Sequence, residues 1–373
     1  MILVIKAKLH YSNLKLVKMK NLAYTLLLSL LFFQSCAPAA EPETAAEESS
    51  PTLESYFDNT GRDDILTGGV KMIPISTPSG EFKVWTKRVG NNPTQKVLLL
   101  HGGPGFNHEY FEVFDSYFPA AGIEYYYYDQ LGSSYSDQPD DKSLWETERF
   151  VEEVEQVRQA LGLNRDNFYL LGHSWGGILA IEYALKYQDN LKGLIISNMM
   201  SSIPAYVKYA EEVLGPGLPE EVLKEIKALE AAGEFTSPRY LELVETYYYP
   251  RHVLRMPLEE WPEPVLRSSA NANYDIYLLM QGPSEFGVVG DATLKEWDRT
   301  EDLPKIAVPT LTVGAEYDTM DPKYMEMMAE KMPNARYHYS PNGAHWAMYD
   351  DADNYFRGVI QFIRDVDEGN FGE

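Results

Sequence analysis

The sequence predicts an α/β fold, a mostly parallel, doubly wound sheet interrupted by a mainly helical insertion. From about residue 65, short β-rich runs alternate with helical patterns, and several of the runs are near-continuous apolar stretches, as in parallel strands covered on both faces. The alternation breaks between about Ser201 and Lys305 and resumes at Pro309. With 373 residues, 45% hydrophobic and 24% charged, the chain is long enough for one large domain with such an insertion.

The expected strands are Val70 to Ile75, Phe82 to Val89, Val97 to Leu100, Ile123 to Tyr128, Phe168 to Leu171, Leu194 to Ser197, Thr310 to Val313 and Arg336 to Tyr339. Between them, Phe150, Val154, Val157 and Leu161 recur at helical spacing, as do Ile178, Ile181, Ala184 and Leu185. This order is that of a doubly wound sheet. The interrupting stretch is helical in pattern, aromatic and rich in proline. We therefore expect a core over residues 61–200 and 305–373, with a helical cap over 201–304. The cap would sit on the carboxyl edge of the sheet, where open α/β sheets hold their ligands.

Lys and Arg total 32 against 56 Asp and Glu, a formal charge of −24 that repels phosphate backbones and speaks against nucleic-acid partners. One cysteine allows no intramolecular disulfide and no Cys-rich zinc site. That cysteine follows a stretch with the marks of a targeting signal. Residues 1–35 hold five lysines and no acid, and the apolar run Leu26 to Phe33 suits a signal peptide better than a permanent span. The stretch ending Gln34-Ser35-Cys36 resembles a bacterial lipoprotein signal, which implies Cys36 as the lipidated first residue of an exported, membrane-anchored chain; a plain secretory signal is the alternative. Cleavage there takes the charge to −29, and residues 36–60 open as an Ala-, Pro-, Glu- and Ser-rich linker.

The strongest chemical signal is Gly172-His173-Ser174-Trp175-Gly176, a GxSxG between a predicted strand and a predicted helix. A serine on such a turn is strained and exposed, and the flanking glycines let strand and helix pass closely. Its hydroxyl needs a base, and the base needs an orienting carboxylate. In the order serine, acid, histidine, of the seven histidines only His345 qualifies, in the loop after the last strand. Asp318, at the end of the turn after the strand Thr310 to Val313, is the preferred acid, with Glu316 and Asp321 as fallbacks. His101-Gly102-Gly103-Pro104-Gly105 follows a strand directly, and its exposed backbone supplies donors for a developing oxyanion; we assign these to the N–H groups of Gly103 and Trp175. No metal or organic cofactor is implied.

HGGPG, YYDQLGSS over residues 127–134, GHSWGG, MQGPSEF over 280–286, EYDTMDP and GAH together resemble the proline iminopeptidase family of α/β-hydrolases, over roughly residues 65–365. The resemblance implies an α/β-hydrolase fold and release of an N-terminal residue, often proline, from short peptides, amides or arylamides. It also implies binding of the free amino group by acids near the cap, and Glu285 matches one of them. Related members often carry a Glu directly after the catalytic Asp, where this chain has Thr319, so a related amide, ester or lactone hydrolase stays open. A non-catalytic surface lipoprotein is the reading from another class. Tyr274, Tyr277, Phe286 and Trp297 are aromatics that could wall a pocket for a pyrrolidine ring, or simply be core.

Overall fold

A computed structural model describes residues 52–372 of the chain. The targeting segment, Cys36 and the first part of the linker lie outside the described residues. Eight strands form one sheet: β1 Val70–Thr77, β2 Gly80–Val89, β3 Lys96–Leu100, β4 Glu124–Asp129, β5 Phe168–His173, β6 Gly193–Ser197, β7 Thr310–Ala315 and β8 Ala335–Ser340. Their order is β1-β2-β4-β3-β5-β6-β7-β8. β2 pairs antiparallel with both β1 and β4, and every other pairing is parallel.

Every expected strand is present, lengthened by one or more residues at one or both ends except for the small shift of β4. The central strands read as unbroken apolar runs because both faces are covered. Alternate residues serve opposite layers: Leu98 and Leu100 of β3, Leu170 of β5 and Leu194 and Ile196 of β6 enter one core. Val97, Leu99, Tyr169, Leu171 and Ile195 enter the other. The first core is closed by the helices Thr147–Ala160, Trp175–Tyr187 and Pro322–Lys331, through Phe150, Val154, Ile178, Ile181, Met325 and Met328. The second is closed by the amphipathic helix Ala352–Asp367, which buries Tyr355, Phe356, Val359, Phe362 and Ile363.

Between β6 and β7 the chain leaves the sheet for helices at Ile203–Tyr209, Glu220–Ala231, Pro238–Tyr247, Glu263–Ala270 and Tyr274–Met280. A proline-rich stretch can be helical because Pro204, Pro238 and Pro264 stand in first turns, where a missing N–H costs no intrahelical bond. This region has an apolar cluster of its own, including Ile226, Tyr240, Leu243, Val244, Tyr248 and Phe286. Among the described residues no helix is long and apolar enough to cross a membrane.

Candidate active site

β5 ends at His173, and the helix beginning at Trp175 starts one residue later, so Ser174 alone makes the turn. Its φ is +57°, a left-handed conformation that is uncommon for a residue with a side chain. Two backbone bonds hold it, Ser174 N–H to Ser197 O at 3.1 Å and Gly177 N–H to Ser174 O at 2.6 Å. A Cβ on Gly172 would lie 1.9 Å from Gly176 O, and one on Gly176 would lie 2.0 Å from Leu100 O. Strand and helix therefore cross backbone against backbone. Gly172→Ala should cost about 3 kcal/mol or more of stability, because rigid backbone must give way rather than a side-chain tip. A thermal melt indistinguishable from wild type would contradict this.

Three distant segments meet at the turn. His345 Nε2 is 3.0 Å from Ser174 Oγ, and His345 Nδ1 is 2.8 Å from Asp318 Oδ1. Asp318 is fully buried and His345 nearly so. With Nδ1–H donating to the carboxylate, the imidazole offers the Nε2 lone pair to the serine hydroxyl. Burial pulls the His345 pKa down, but the charge and hydrogen bond of Asp318, with the charges of Glu285 and Asp350, outweigh it and hold the ring above its ordinary value. The fallback acids lie elsewhere. Glu316 accepts the Tyr339 hydroxyl, and Asp321 caps the helix Pro322–Lys331 through the Lys323 N–H at 2.9 Å.

Among the described residues, the other histidines are tied into structural bonds. His101 Nε2 accepts the Gln130 N–H at 3.1 Å, and burial pushes its pKa down to about 4. His108 Nδ1 is 2.8 Å from Asp129 Oδ1. His173 turns away from Ser174: its Nε2–H donates to His345 O at 2.8 Å, and its Nδ1 accepts the Tyr110 hydroxyl at 3.1 Å. Tyr110 Oη in turn accepts the Gly102 N–H at 2.6 Å, so one buried chain joins the glycine loop to the loop of His345. Gln130 ties the glycine loop to the helix that follows Ser174, donating to His101 O at 3.0 Å and accepting the Trp175 indole N–H at 2.9 Å.

The glycine loop comes close to the serine, since a Cβ on Gly102 would stand 2.9 Å from Ser174 Cβ. Trp175 is the first residue of its helix, where a backbone N–H has no intrahelical acceptor, and among the described residues neither it nor the Gly103 N–H donates to another backbone group. Both stretches border a cavity of about 510 Å³ under the insertion, lined by Gly102, Gly103, Ser174, His345, Glu285 and apolar side chains from the cap. Of the four aromatics named from sequence, Tyr274 and Tyr277 line it. Phe286 packs instead in the cap's own cluster. Trp297 packs against the first sheet core and donates its indole N–H to Glu182 at 2.6 Å.

Glu285 lines the cavity, held by the Tyr277 hydroxyl on Oε1 at 2.6 Å and the Tyr206 hydroxyl on its carbonyl at 2.6 Å. Sequence reasoning missed a second cavity acid, Glu245, on the helix Pro238–Tyr247. Nothing in its local sequence separates it from the solvated acids of the cap. Thr319, standing where an acid was sought, is fully buried and places its hydroxyl 3.2 Å from both His345 Nδ1 and Asp318 Oδ1. Among the described residues no cluster of His, Cys, Asp and Glu is arranged to hold a metal ion.

A doubly wound sheet with a serine on a strained strand-to-helix turn, facing an imidazole from the loop after the last strand, defines an α/β hydrolase. The chain matches the α/β hydrolase fold family over residues 96–352. It is 58% identical over 297 residues to a proline iminopeptidase of Flavobacterium johnsoniae, covering 80% of this chain and 99% of that protein. A proline iminopeptidase of Elizabethkingia meningoseptica is 57% identical over 300 residues, 80% of this chain and all of that protein. Among solved structures, the proline iminopeptidase of Mycobacterium smegmatis aligns with a TM-score of 0.70 at 30% identity, over 79% of this chain and 99% of that one. The protein is a hydrolase and belongs to the proline iminopeptidase family.

Proposed function

We propose that the chain is a serine aminopeptidase that releases an N-terminal residue, proline or another small or apolar residue, from short peptides or amides through an acyl-enzyme. The observation that carries this reading is the line from Asp318 through His345 to Ser174, which ends in a cavity holding the carboxylates of Glu285 and Glu245 among apolar walls. His345 removes the Ser174 proton as Oγ attacks the carbonyl of the N-terminal residue. The Gly103 and Trp175 N–H groups hold the oxyanion. The imidazolium then protonates the leaving amine, and water, deprotonated by the same imidazole, hydrolyses the ester; Asp318 orients the ring and stabilises its cation.

The cavity acids support a preference for a free amino terminus. A carboxylate in a partly desolvated cleft attracts an ammonium strongly and fixes which carbonyl reaches Ser174. Tyr274 and Tyr277, with the other aromatics of the wall, suit a pyrrolidine ring. The test compares a proline arylamide with its N-acetylated form, and wild type with Glu285→Gln. The blocked compound should not turn over. Loss of the charge should lower kcat/KM for the free amine about ten- to a hundredfold. Because Glu285 raises the His345 pKa, its removal should also move the acid limb of kcat/KM to lower pH. Equal turnover of free and acetylated substrates would replace this reading with a general amide or ester hydrolase.

We also propose that the protein is exported and tethered to a bacterial membrane by lipid on Cys36. The observations behind this are the basic, acid-free leader, its apolar run and the position of the cysteine at the start of a polar linker. Labelled fatty acid should be incorporated by the wild-type protein and not by Cys36→Ser; an unlabelled wild type would make it a secreted enzyme.

A further inference from the structure

Asn198 stands immediately after β6, the strand between the one that leads to Ser174 and the one that leads to Asp318. Its φ is +54°, a conformation asparagine adopts more readily than most residues with a side chain. Its Nδ2 lies 2.6 Å from Asp318 Oδ2 and 3.3 Å from Ala344 O, the carbonyl one residue before His345. Its Oδ1 accepts the Ser197 hydroxyl at 2.8 Å, and Ser197 Oγ is 3.0 Å from the Tyr355 hydroxyl. Asn198, Ser197, Asp318, Ala344 and Tyr355 are all fully buried.

The donors in this chain run one way. Ser197 has one hydroxyl proton, and spending it on Asn198 Oδ1 leaves its oxygen to accept the Tyr355 proton. The amide is thereby oriented with both N–H bonds toward acceptors, and a flipped amide would set its oxygen against a carboxylate and a carbonyl. The other Asp318 oxygen, Oδ1, is held by the Met320 N–H at 3.1 Å, the Thr319 hydroxyl and His345. Oδ2 rests on Asn198.

We infer that Asn198 is a positioning residue for the reaction, one amide group clamping the carboxylate that orients the base and the loop that carries the base. The inference rests on the Ser174, His345 and Asp318 reading above. Without the clamp, the Asp318 carboxylate can rotate and the His345 loop can drift, and small displacements of a catalytic group are costly.

Two variants test it. Asn198→Gly keeps the left-handed backbone without strain and removes the amide. Asn198→Asp keeps the side-chain shape but turns a donor toward two acceptors into a third acceptor. In Asn198→Gly, kcat on a proline arylamide should fall about ten- to a hundredfold, with KM within about twofold of wild type. Labelling by a fluorophosphonate, which reads serine activation without the substrate amine, should slow by a similar factor. Asn198→Asp should lose at least as much. Wild-type kcat and labelling in folded Asn198→Gly overturn the inference, as does a change confined to KM. Failure of both variants to fold overturns it too, making Asn198 a packing residue. If Ser174→Ala stays active, the underlying reading fails whatever Asn198 does; if Ser174→Ala is inactive and Asn198→Gly matches wild type, this inference alone fails.

Discussion

Ser174→Ala should lower kcat by about a million-fold, the scale on which removal of a hydrolase's nucleophile acts, and leave the fold intact. The change deletes one hydroxyl. The strain at φ +57° is the same for alanine as for serine, since both carry a Cβ, and the backbone bonds to Ser197 O and from Gly177 N–H do not involve the side chain. The melting temperature should therefore stay close to wild type while turnover disappears. Residual activity of about a thousandfold over the uncatalysed rate would reflect the oxyanion donors and the binding cavity alone. A fluorophosphonate should add to wild type at Ser174 and leave the variant unmodified by mass spectrometry. Near-native turnover in the variant would end the acyl-enzyme scheme.

Asp318→Asn should cost about ten-thousandfold in kcat, for reasons specific to its cage. Asn198 presents a donor to Oδ2, so an amide at 318 is driven to place its oxygen there and its NH2 toward His345 Nδ1. The imidazole is then held with its proton on Nε2, facing Ser174, and cannot act as a base. The NH2 also meets the Met320 N–H, a donor against a donor, which should cost about 1–3 kcal/mol of stability. The sign of the pH effect follows from the charge. Asp318 raises the His345 pKa, so its neutralisation should shift the acid limb of the remaining activity to lower pH. Activity within tenfold of wild type, or an acid limb moved upward, would show that another carboxylate serves His345.

The central strands were legible because strands covered on both faces are apolar at nearly every position, which leaves short unbroken runs between turn residues. The turn at Ser174 was legible because two backbone segments that cross at van der Waals contact admit only glycine at 172 and 176. His345 and Asp318 were found from chain order and from their places after β8 and β7, a topological argument that needs no coordinates. Thr319 was read as a missing acid because sequence shows what a residue is and not what it touches; folded, its hydroxyl lies on the His345 and Asp318 pair. Phe286 and Trp297 have the same aromatic character as Tyr274 and Tyr277, and only packing separates core from cavity wall.

The sequence by itself determined the layered sheet, the strained serine turn and the loop histidine with its acid, since each follows from local periodicity, glycine spacing and chain order. Tertiary structure alone decided which acids face the cavity, where Glu245 on the helix Pro238–Tyr247 joins Glu285 of the loop after Met280, and that Asn198 at the end of β6 meets both Asp318 and Ala344. The physical reason is range. Helix, strand and turn are set by neighbours a few residues apart, whereas the contacts of Asn198 close loops of 120 and 146 residues and exist only once the sheet has brought those ends together.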